Sequence, residues 1–271
     1  MKIFAIRDAA AEEPGDLAYL LYYEADRRFY IELLENADPW ETPLLLSTFV
    51  KKGEHTVNSY WSKIWVRQRI VPPERQNIGQ ILRDNDLESY DEYALLMLSQ
   101  GRCEQDDYYL VPIDEKTFPN EVVRRFSRRI EDVVPLENNS LLVFFRDGMI
   151  RRCEMNEYFD RNPRFTVLMS RPDYFSRVTI QTGGYGIQWD DELFIMDWEL
   201  YDVGERVPLR TDDFHAFVSQ RIINASEAAM ILNCSRQYIS ELVKTDKLHP
   251  VKSSEKSTLF LKSEVLKRSW Q

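Results

Sequence analysis

The sequence predicts an α+β protein built from more than one domain. Runs typical of strands occur near the start and in the middle of the chain, helical periodicity separates them, and the last fifty residues alternate short helices with polar turns. The chain has 271 residues, of which 44% are hydrophobic and 30% charged, so it can build two or three cores. The predicted architecture is a multi-domain α+β protein, with a small antiparallel α/β module before the C-terminal helices.

Composition predicts a cytoplasmic protein. No apolar run reaches the roughly 18 residues of a membrane span, and Arg7 and Asp8 interrupt the apolar start before it can form a signal-peptide core. Cys103, Cys153 and Cys234 lie far apart, so they form neither a disulfide framework nor a metal-binding pattern. We therefore expect free thiols, no cofactor and no membrane partner.

The net charge of −10 is unevenly distributed along the chain. Residues 222–271 contain eight Lys or Arg and five Asp or Glu, which gives this segment +3 and leaves −13 for the remaining 221 residues. An acidic body repels nucleic acid, whereas the basic segment attracts it. Only the C-terminal segment is expected to contact DNA.

Residues 1–119 are predicted to form an α+β domain that serves dimerisation or partner binding. Lys2 to Ile6 is a predicted strand, and the runs 17–23 and 29–34 predict either a hairpin, which we favour, or a helical pair. The remaining pattern predicts helices over 43–49, 60–69, 74–83 and 90–99. Pro72-Pro73 ends the second helix, and the last two carry apolar faces typical of a core, with Ile78, Ile81 and Leu82 on one and Tyr93, Leu96 and Met97 on the other.

The stretch from Trp65 to Ile78, with the later Gly101-Arg102 and Asp106-Asp107, resembles the N-terminal lobe of HipA-type toxins. No glycine-rich phosphate loop or kinase catalytic signature follows, so the chemistry of that family is not carried over. Arg67, Arg69 and Arg75 predict either solvated surface charge or a pocket for an anionic ligand.

Residues 120–205 are predicted to form the small α/β module. Asp147-Gly148 separates the apolar runs 141–145 and 149–153, which predicts a hairpin, and Gly183-Gly184 predicts a second one between 179–182 and 186–189. A short helical region is predicted between the two hairpins. Val133-Val134-Pro135, the run 141–148, the segment 187–190 and Leu200-Tyr201 resemble domain-of-unknown-function family 2442. The resemblance implies a compact α/β module and supplies no catalytic residue.

Residues 206–221 are predicted to be a linker helix. Thr211 is expected to cap it, with Phe214, Phe217 and Val218 on one face.

Residues 222–271 predict two helices joined by a tight turn. Asn224 and Glu227 form a capping-box pattern, and the row Ala225, Ala228, Ala229 and Leu232 is small enough for close helix packing. Asn233 tolerates the left-handed turn conformation, and Ser235 caps the second helix, 236–244. These spacings are typical of a helix-turn-helix.

The second helix has two predicted faces. Tyr238, Ile239, Leu242 and Val243 are expected to face inward, whereas Gln237, Ser240, Glu241 and Lys244 face outward with Arg236 at the helix start. Beyond it, the apolar runs 248–251 and 258–261 flank a polar stretch that predicts a hairpin with a basic tip, the wing. Ser263 is expected to cap a last helix over 264–270.

The segment Asn224–Ile239, with Lys247-Leu248 and Phe260–Val265, resembles the excisionase and MerR-type winged helix-turn-helix. It departs from that family at Asn233, where Gly is usual, and at Cys234, where Val is usual. The resemblance implies that the second helix enters a major groove and that the hairpin tip contacts the backbone. The alternative is an ordinary amphipathic helical hairpin with solvated charges. The predicted DNA-binding residues are Ser235, Arg236, Gln237, Tyr238, Ser240, Lys244, Lys247, Lys252 and Lys256.

An enzyme is not expected. His55, His215 and His249 are scattered, and the glycines at 183–186 lack the context of a phosphate loop. Asp106-Asp107 and Asp190-Asp191-Glu192 are more typical of solvated turns than of paired catalytic carboxylates. The sequence favours a DNA-binding transcriptional regulator, a homodimer on double-stranded DNA; the alternative is an antitoxin-like module that binds a protein partner and autoregulates.

Overall fold

The computed structural model describes residues 1–12, 15–206, 208, 211–254 and 257–270, without the side chains of Thr211, Asp212 and Phe214. The chain is a mixed α+β protein with several small antiparallel sheets, as predicted. It divides into two compact units, Met1–Val123 and Arg124–Gln271. The finer predicted division into four segments stays a prediction.

The described residues of the first unit contain a five-stranded antiparallel sheet, with its strands in the order Thr56–Val57, Arg28–Leu33, Asp16–Tyr23, Lys2–Asp8 and Tyr108–Pro112. The predicted hairpin is confirmed, because the two strands pair from Ala18↔Leu33 to Tyr23↔Arg28. The elements are β1 (Lys2–Asp8), β2 (Asp16–Tyr23), β3 (Arg28–Leu33), α1 (Leu44–Lys52), β4 (Thr56–Val57), α2 (Ser59–Arg67), α3 (Ile78–Asp84), α4 (Glu92–Leu98) and β5 (Tyr108–Pro112).

The third predicted helix of this unit differs from its prediction in two ways. It begins at Ile78 rather than Glu74, because the segment after Pro72-Pro73 forms successive turns, with Arg75 N–H donating to Pro72 O at 3.2 Å and Ile78 N–H to Arg75 O at 2.9 Å. Ile78, Ile81 and Leu82 are half-buried and the rest of the helix is exposed, so the predicted face is covered in part but does not enter the core. In α4 the prediction holds for Leu96, which is buried in the core.

The described residues of the second unit contain three small antiparallel sheets. The strands of the largest lie in the order Glu205–Arg206, Ile150–Glu154, Ser140–Phe145 and Ile130–Leu136. The other two have the orders Phe194–Met196, Gly186–Gln188, Thr179–Ile180 and Ile222–Asn224, Thr258–Leu261, Lys252–Ser253. Helix α5 (Asn120–Ser127) spans the boundary between the two units, and the other elements of the second unit follow it in the chain. They are β6 (Ile130–Leu136), β7 (Ser140–Phe145), β8 (Ile150–Glu154), α6 (Asn156–Arg161), α7 (Thr166–Met169), α8 (Pro172–Phe175), β9 (Thr179–Ile180), β10 (Gly186–Gln188), β11 (Phe194–Met196), α9 (Asp197–Val203), β12 (Glu205–Arg206), α10 (Thr211–Arg221), β13 (Ile222–Asn224), α11 (Ala225–Ile231), α12 (Arg236–Lys244), β14 (Lys252–Ser253), β15 (Thr258–Leu261) and α13 (Lys262–Ser269).

Both glycine-mediated hairpins of the middle segment are confirmed. Strands β7 and β8 pair across Asp147-Gly148, where Gly148 has φ +80° and Met149 N–H donates to Asp147 Oδ1 at 2.9 Å. Strands β9 and β10 pair with Ile187 opposite Ile180. The predicted helical region between the hairpins is also present, as α6, α7 and α8.

Two features hold the middle segment together. Gly184 adopts φ +80°, and a Cβ there would lie 2.4 Å from the carbonyl oxygen of Ile130 in β6, so only glycine fits. Arg129 Nη1 donates to Asp197 Oδ2 at 2.6 Å, with side chains only 1% and 3% exposed, and the Arg129 guanidinium carbon lies 3.7 Å from the centre of the Tyr185 ring. Burial of a charge is tolerated only with such a partner.

Helix α10 covers most of the predicted linker. Val207, Leu209 and Arg210 and the side chains of Thr211 and Phe214 lie outside the described part, so the predicted Thr211 cap is not described. Phe217 packs against Phe144 of β7, with 4.9 Å between ring centres.

Candidate nucleic-acid interface

The N-terminus of α11 has the predicted capping box. Asn224 Oδ1 accepts from the N–H groups of Ser226 at 2.8 Å and Glu227 at 3.1 Å, and Glu227 Oε2 accepts from Asn224 N–H at 2.7 Å. The exchange satisfies donors that have no partner within the helix. The start of α11 is therefore determined by residues within four positions of each other.

The turn between α11 and α12 also follows the prediction. Asn233 adopts the left-handed conformation with φ +49°, and Cys234 N–H donates to Ala229 O at 3.0 Å. Ser235 Oγ then accepts from Tyr238 N–H at 3.2 Å and caps α12, which spans Arg236–Lys244 as predicted.

Helix α12 has one buried and one exposed face. Ile239 and Leu242 are 1% and 3% exposed and pack in a cluster with Ala228 and Ala229 of α11. Tyr238 was predicted to face inward, but it is 48% exposed, so that assignment is wrong. Successive helical residues are about 100° apart, and the position before Ile239 therefore projects outside the buried row.

The outer face of α12 carries the residues that were predicted to face outward toward DNA bases. Arg236, Gln237, Ser240, Glu241 and Lys244 are all exposed. Ser240 Oγ donates to the carbonyl oxygen of Arg236 at 3.2 Å, which leaves its lone pairs available for an incoming donor.

Several predicted phosphate-contacting cations are exposed around this helix. Lys247 and Lys252 are exposed, and neither they nor Arg236 and Lys244 form an ion pair within the described part of the chain. Lys256 lies outside the described residues. Cations without a carboxylate partner are the ones that can neutralise a phosphate without first breaking an internal pair.

A small sheet supports the two helices. The predicted hairpin is present, with Lys252 opposite Leu259 and Ser254 N–H donating to Ser257 O at 2.8 Å. A further strand, β13, pairs with β15, with Ile223 opposite the fully buried Phe260. Strand β13 was not predicted, because three residues are too few to show strand periodicity.

Helix α13 departs from its prediction at the N-terminus. It begins at Lys262, so Ser263 lies within the first turn and caps nothing. Val265 is buried, as predicted for this face. Arg268 Nη1 donates to the carbonyl oxygen of Lys247 at 2.7 Å, and this cation thus has an internal role.

Two ion pairs join the C-terminal elements to β6 within the second unit. Arg221 Nε lies 2.9 Å from Asp132 Oδ1, and Lys267 Nζ lies 2.6 Å from Glu131 Oε1. Burial raises the pKa of Asp132 to about 6, although the charge of Arg221 opposes this rise. The pair of Lys267 reduces the number of cations that residues 222–271 can offer to DNA.

His249 links the loop after α12 to α13. Its Nδ1 lies 2.9 Å from Glu264 Oε1 and its Nε2 lies 3.3 Å from Asp246 Oδ1. The hydrogen bond with Glu264, with the nearby negative charges, raises the pKa of His249 above its usual 6.5.

The structure also locates the other charged groups singled out in the sequence. Arg69 is buried and paired with Asp106, whereas Arg67 is exposed and pairs with Glu92 at 2.7 Å. Arg75 donates from Nε to Asn77 Oδ1 at 3.1 Å, so the three arginines have separate partners rather than a shared pocket. Asp190 caps a turn by accepting from the N–H groups of Glu192 and Leu193. The likeness of the first unit to HipA-type toxins stays a prediction.

Within the described ranges, no group of three or more His, Cys, Asp or Glu side chains is arranged to hold a metal ion. None of the described helices has both the length and the apolar character needed to cross a bilayer.

Similarity of this sequence to a known protein family is found in the middle segment. Neither the curated proteins nor the solved structures include a match to this chain. Strands β6 to β11 and helices α6, α7 and α8 lie in the segment whose sequence resembles domain-of-unknown-function family 2442, whereas β12 follows that segment. Residues 130–202 match the model of that family, described as protein of unknown function (DUF2442).

Proposed function

We propose that the chain is a sequence-specific DNA-binding protein, a transcriptional regulator, in which residues 222–271 form a winged helix-turn-helix on double-stranded DNA. The observation that carries the proposal is the two-faced α12: Ile239 and Leu242 anchor it, while Arg236, Gln237 and Ser240 are exposed along the opposite side. A helix anchored in this way can enter a major groove without loss of core contacts.

The residues near the start of α12 are assigned to base reading. Arg236 can donate two hydrogen bonds to guanine. Gln237 can bind adenine through both the carbonyl oxygen and the NH2 of its side-chain amide, and Ser240 can bond to any base. Tyr238 is exposed next to them, and its ring can contact a thymine methyl group or the sugar backbone. Ser235 presents the helix N-terminus, where N–H groups favour a phosphate.

The lysines around the helix are assigned to the DNA backbone. Lys244 and Lys247 follow the base-reading residues, and Lys252 begins β14 of the β14/β15 hairpin, the proposed wing. Lys256 falls between these two strands in the sequence. Lysine neutralises phosphate as a point charge and carries no base specificity. The acidic remainder of the chain, with −13, would keep non-specific contacts confined to this segment.

We further propose a homodimer, because one module of about fifty residues buries little surface on DNA and two half-sites multiply the affinity. An antitoxin-like complex with a protein partner is the second candidate. Tyr60 and Trp61 of α2 favour an interaction role for the first unit, since they are 64% and 40% exposed. A protein that co-purifies in fixed ratio would support this candidate; a homodimer alone on DNA would support the regulator.

The test is fluorescence anisotropy of the full-length protein with a duplex from its own promoter and with a random duplex, over a range of salt concentrations. Arg236→Ala and Gln237→Ala should each cost on the order of 1–3 kcal/mol on the promoter and little on random DNA. Lys252→Ala should weaken both complexes alike and lower the salt slope by about one. Arg161→Ala, which removes an exposed arginine of the middle segment, is the matched control and should change neither.

Absence of duplex binding on both DNAs at low salt would refute the proposal. Equal losses on promoter and random DNA for Arg236→Ala and Gln237→Ala would show that α12 does not read bases.

A further inference from the structure

A cavity of about 550 Å³ opens in the first unit, between the loop that precedes α1 and the C-terminal end of α2. Its size falls within the range of small-molecule sites, roughly 300–1,000 Å³. Trp40 and Leu44 line it and are 87% and 89% exposed. Such large apolar side chains at a cavity offer a flat apolar surface to a ligand.

The floor of the cavity contains a neutralised ion pair. Arg69 is buried, its guanidinium carbon lies 3.8 Å from the centre of the Trp65 ring, and it donates to Asp106. Asp106 Oδ1 also accepts from Tyr108 N–H at 3.2 Å, so the carboxylate is fully engaged. The pair therefore adds no net charge to the cavity.

Donors without an acceptor lie in and beneath this floor. Within the described part of the chain, the indole Nε1 of Trp65 and Nε of Arg69 are buried without an acceptor. Ser47 is only 4% exposed and lines the cavity, and its hydroxyl has no partner among the described residues. Because the two nitrogens are shielded from solvent, the Ser47 hydroxyl is the one of these three donors that a ligand can reach, and it favours a ligand that supplies an acceptor.

Lys51 supplies a positive charge at the mouth. It is exposed, its Nζ lies 5.2 Å from the centre of the Trp40 ring, and it pairs with no carboxylate among the described residues. The Trp40 ring can stack on a planar group of a ligand, and the Lys51 ammonium beside it can bind an anionic group attached to that planar group.

We propose that this cavity binds a small aromatic carboxylate, with its ring against Trp40 and Leu44 and its carboxylate between Lys51 and Ser47. The assignment is independent of the DNA-binding proposal, because every residue that carries it lies in Met1–Val123.

The test is isothermal titration calorimetry of the full-length protein with 2-naphthoate and with 2-naphthamide, its neutral counterpart. Naphthoate should bind about tenfold more tightly than naphthamide, because the amide lacks the charge that Lys51 recognises. Lys51→Gln should remove this preference, and Trp40→Ala should weaken both ligands about tenfold. Lys52→Gln is the matched control, since it removes an exposed charge from the same helix end without touching the cavity.

Both Lys51 and Trp40 are exposed, so neither substitution should unfold the protein, and circular dichroism checks this. No heat of binding with millimolar naphthoate would overturn the proposal. Equal effects of Lys51→Gln and Lys52→Gln would do so as well.

Discussion

Asp197→Asn should strongly destabilise the second unit. In the native pair Arg129 Nη1 and Asp197 Oδ2 are 2.6 Å apart and the side chains are 1% and 3% exposed. Coulomb attraction at that distance is about 6 kcal/mol at an effective dielectric constant of about 20, and desolvation of the two groups offsets much of it. The substitution removes the charge of Asp197 that faces the buried arginine, which costs about 3–5 kcal/mol.

Glu157→Gln is the matched control for this prediction. It breaks the Arg161–Glu157 pair, whose side chains are 79% and 87% exposed, at 3.3 Å. An exposed pair four residues apart on a helix contributes about 0.3–0.5 kcal/mol, so the loss should be close to the error of the measurement. The contrast between the two variants isolates the effect of burial.

Native-state hydrogen exchange of the β7 amides is the suitable assay, because a chain with two compact units need not unfold in one transition. A double variant, Arg129→Met with Asp197→Leu, should be more stable than Asp197→Asn, since no buried charge remains. The reasoning would be refuted if Asp197→Asn changed the free energy of exchange by less than about 1 kcal/mol, or if the double variant were the less stable of the two.

Three further predictions concern pH and glycine geometry. Because burial raises the pKa of Asp132 to about 6, the folded state binds a proton more readily than the unfolded state between pH ~4 and ~6, and the free energy of unfolding should fall as pH rises through this window; urea titrations should show that slope in the wild type and not in Asp132→Asn. The pKa of His249 is raised chiefly by Glu264, so its contribution to stability is present at low pH and lost as pH rises through the raised value; an NMR titration should show a lower histidine pKa in Glu264→Gln, and an unchanged value would contradict the assignment. Gly184→Ala should cost more stability than Gly148→Ala in chemical denaturation, because both have φ +80° but only at position 184 does a Cβ meet backbone, so equal losses would count against the packing argument.

Local sequence signals predicted much of the candidate site. Asn224 and Ser235 mark two helix starts through hydrogen bonds that span three residues or fewer, and both were predicted correctly. Tyr238 and Ser263 were misassigned for a common reason. Their residue types suit the predicted role, but the rotation of α12 and the start of α13 depend on packing against other elements.

Long-range contacts account for what the sequence could not predict. Lys267 and Glu131 are 136 residues apart, and Arg129 and Asp197 are 68 apart, so no local pattern connects either pair. Strand β13 exists only because β15 offers it a partner almost forty residues later. The cavity beside Trp40 likewise combines a loop, two helices and the segment before β5.

The sequence by itself determined the α+β class, the hairpins at Asp147-Gly148 and Gly183-Gly184, and the bounds of α12. Each depends on backbone preferences or on hydrogen bonds between near neighbours, which the residue types specify directly. The tertiary structure alone decided which charges are available for a ligand, because Lys267, Arg268 and Arg69 are engaged internally while Arg236, Lys252 and Lys51 are exposed. Whether a charge pairs internally depends on the distance between segments in space, and composition carries no information about that distance.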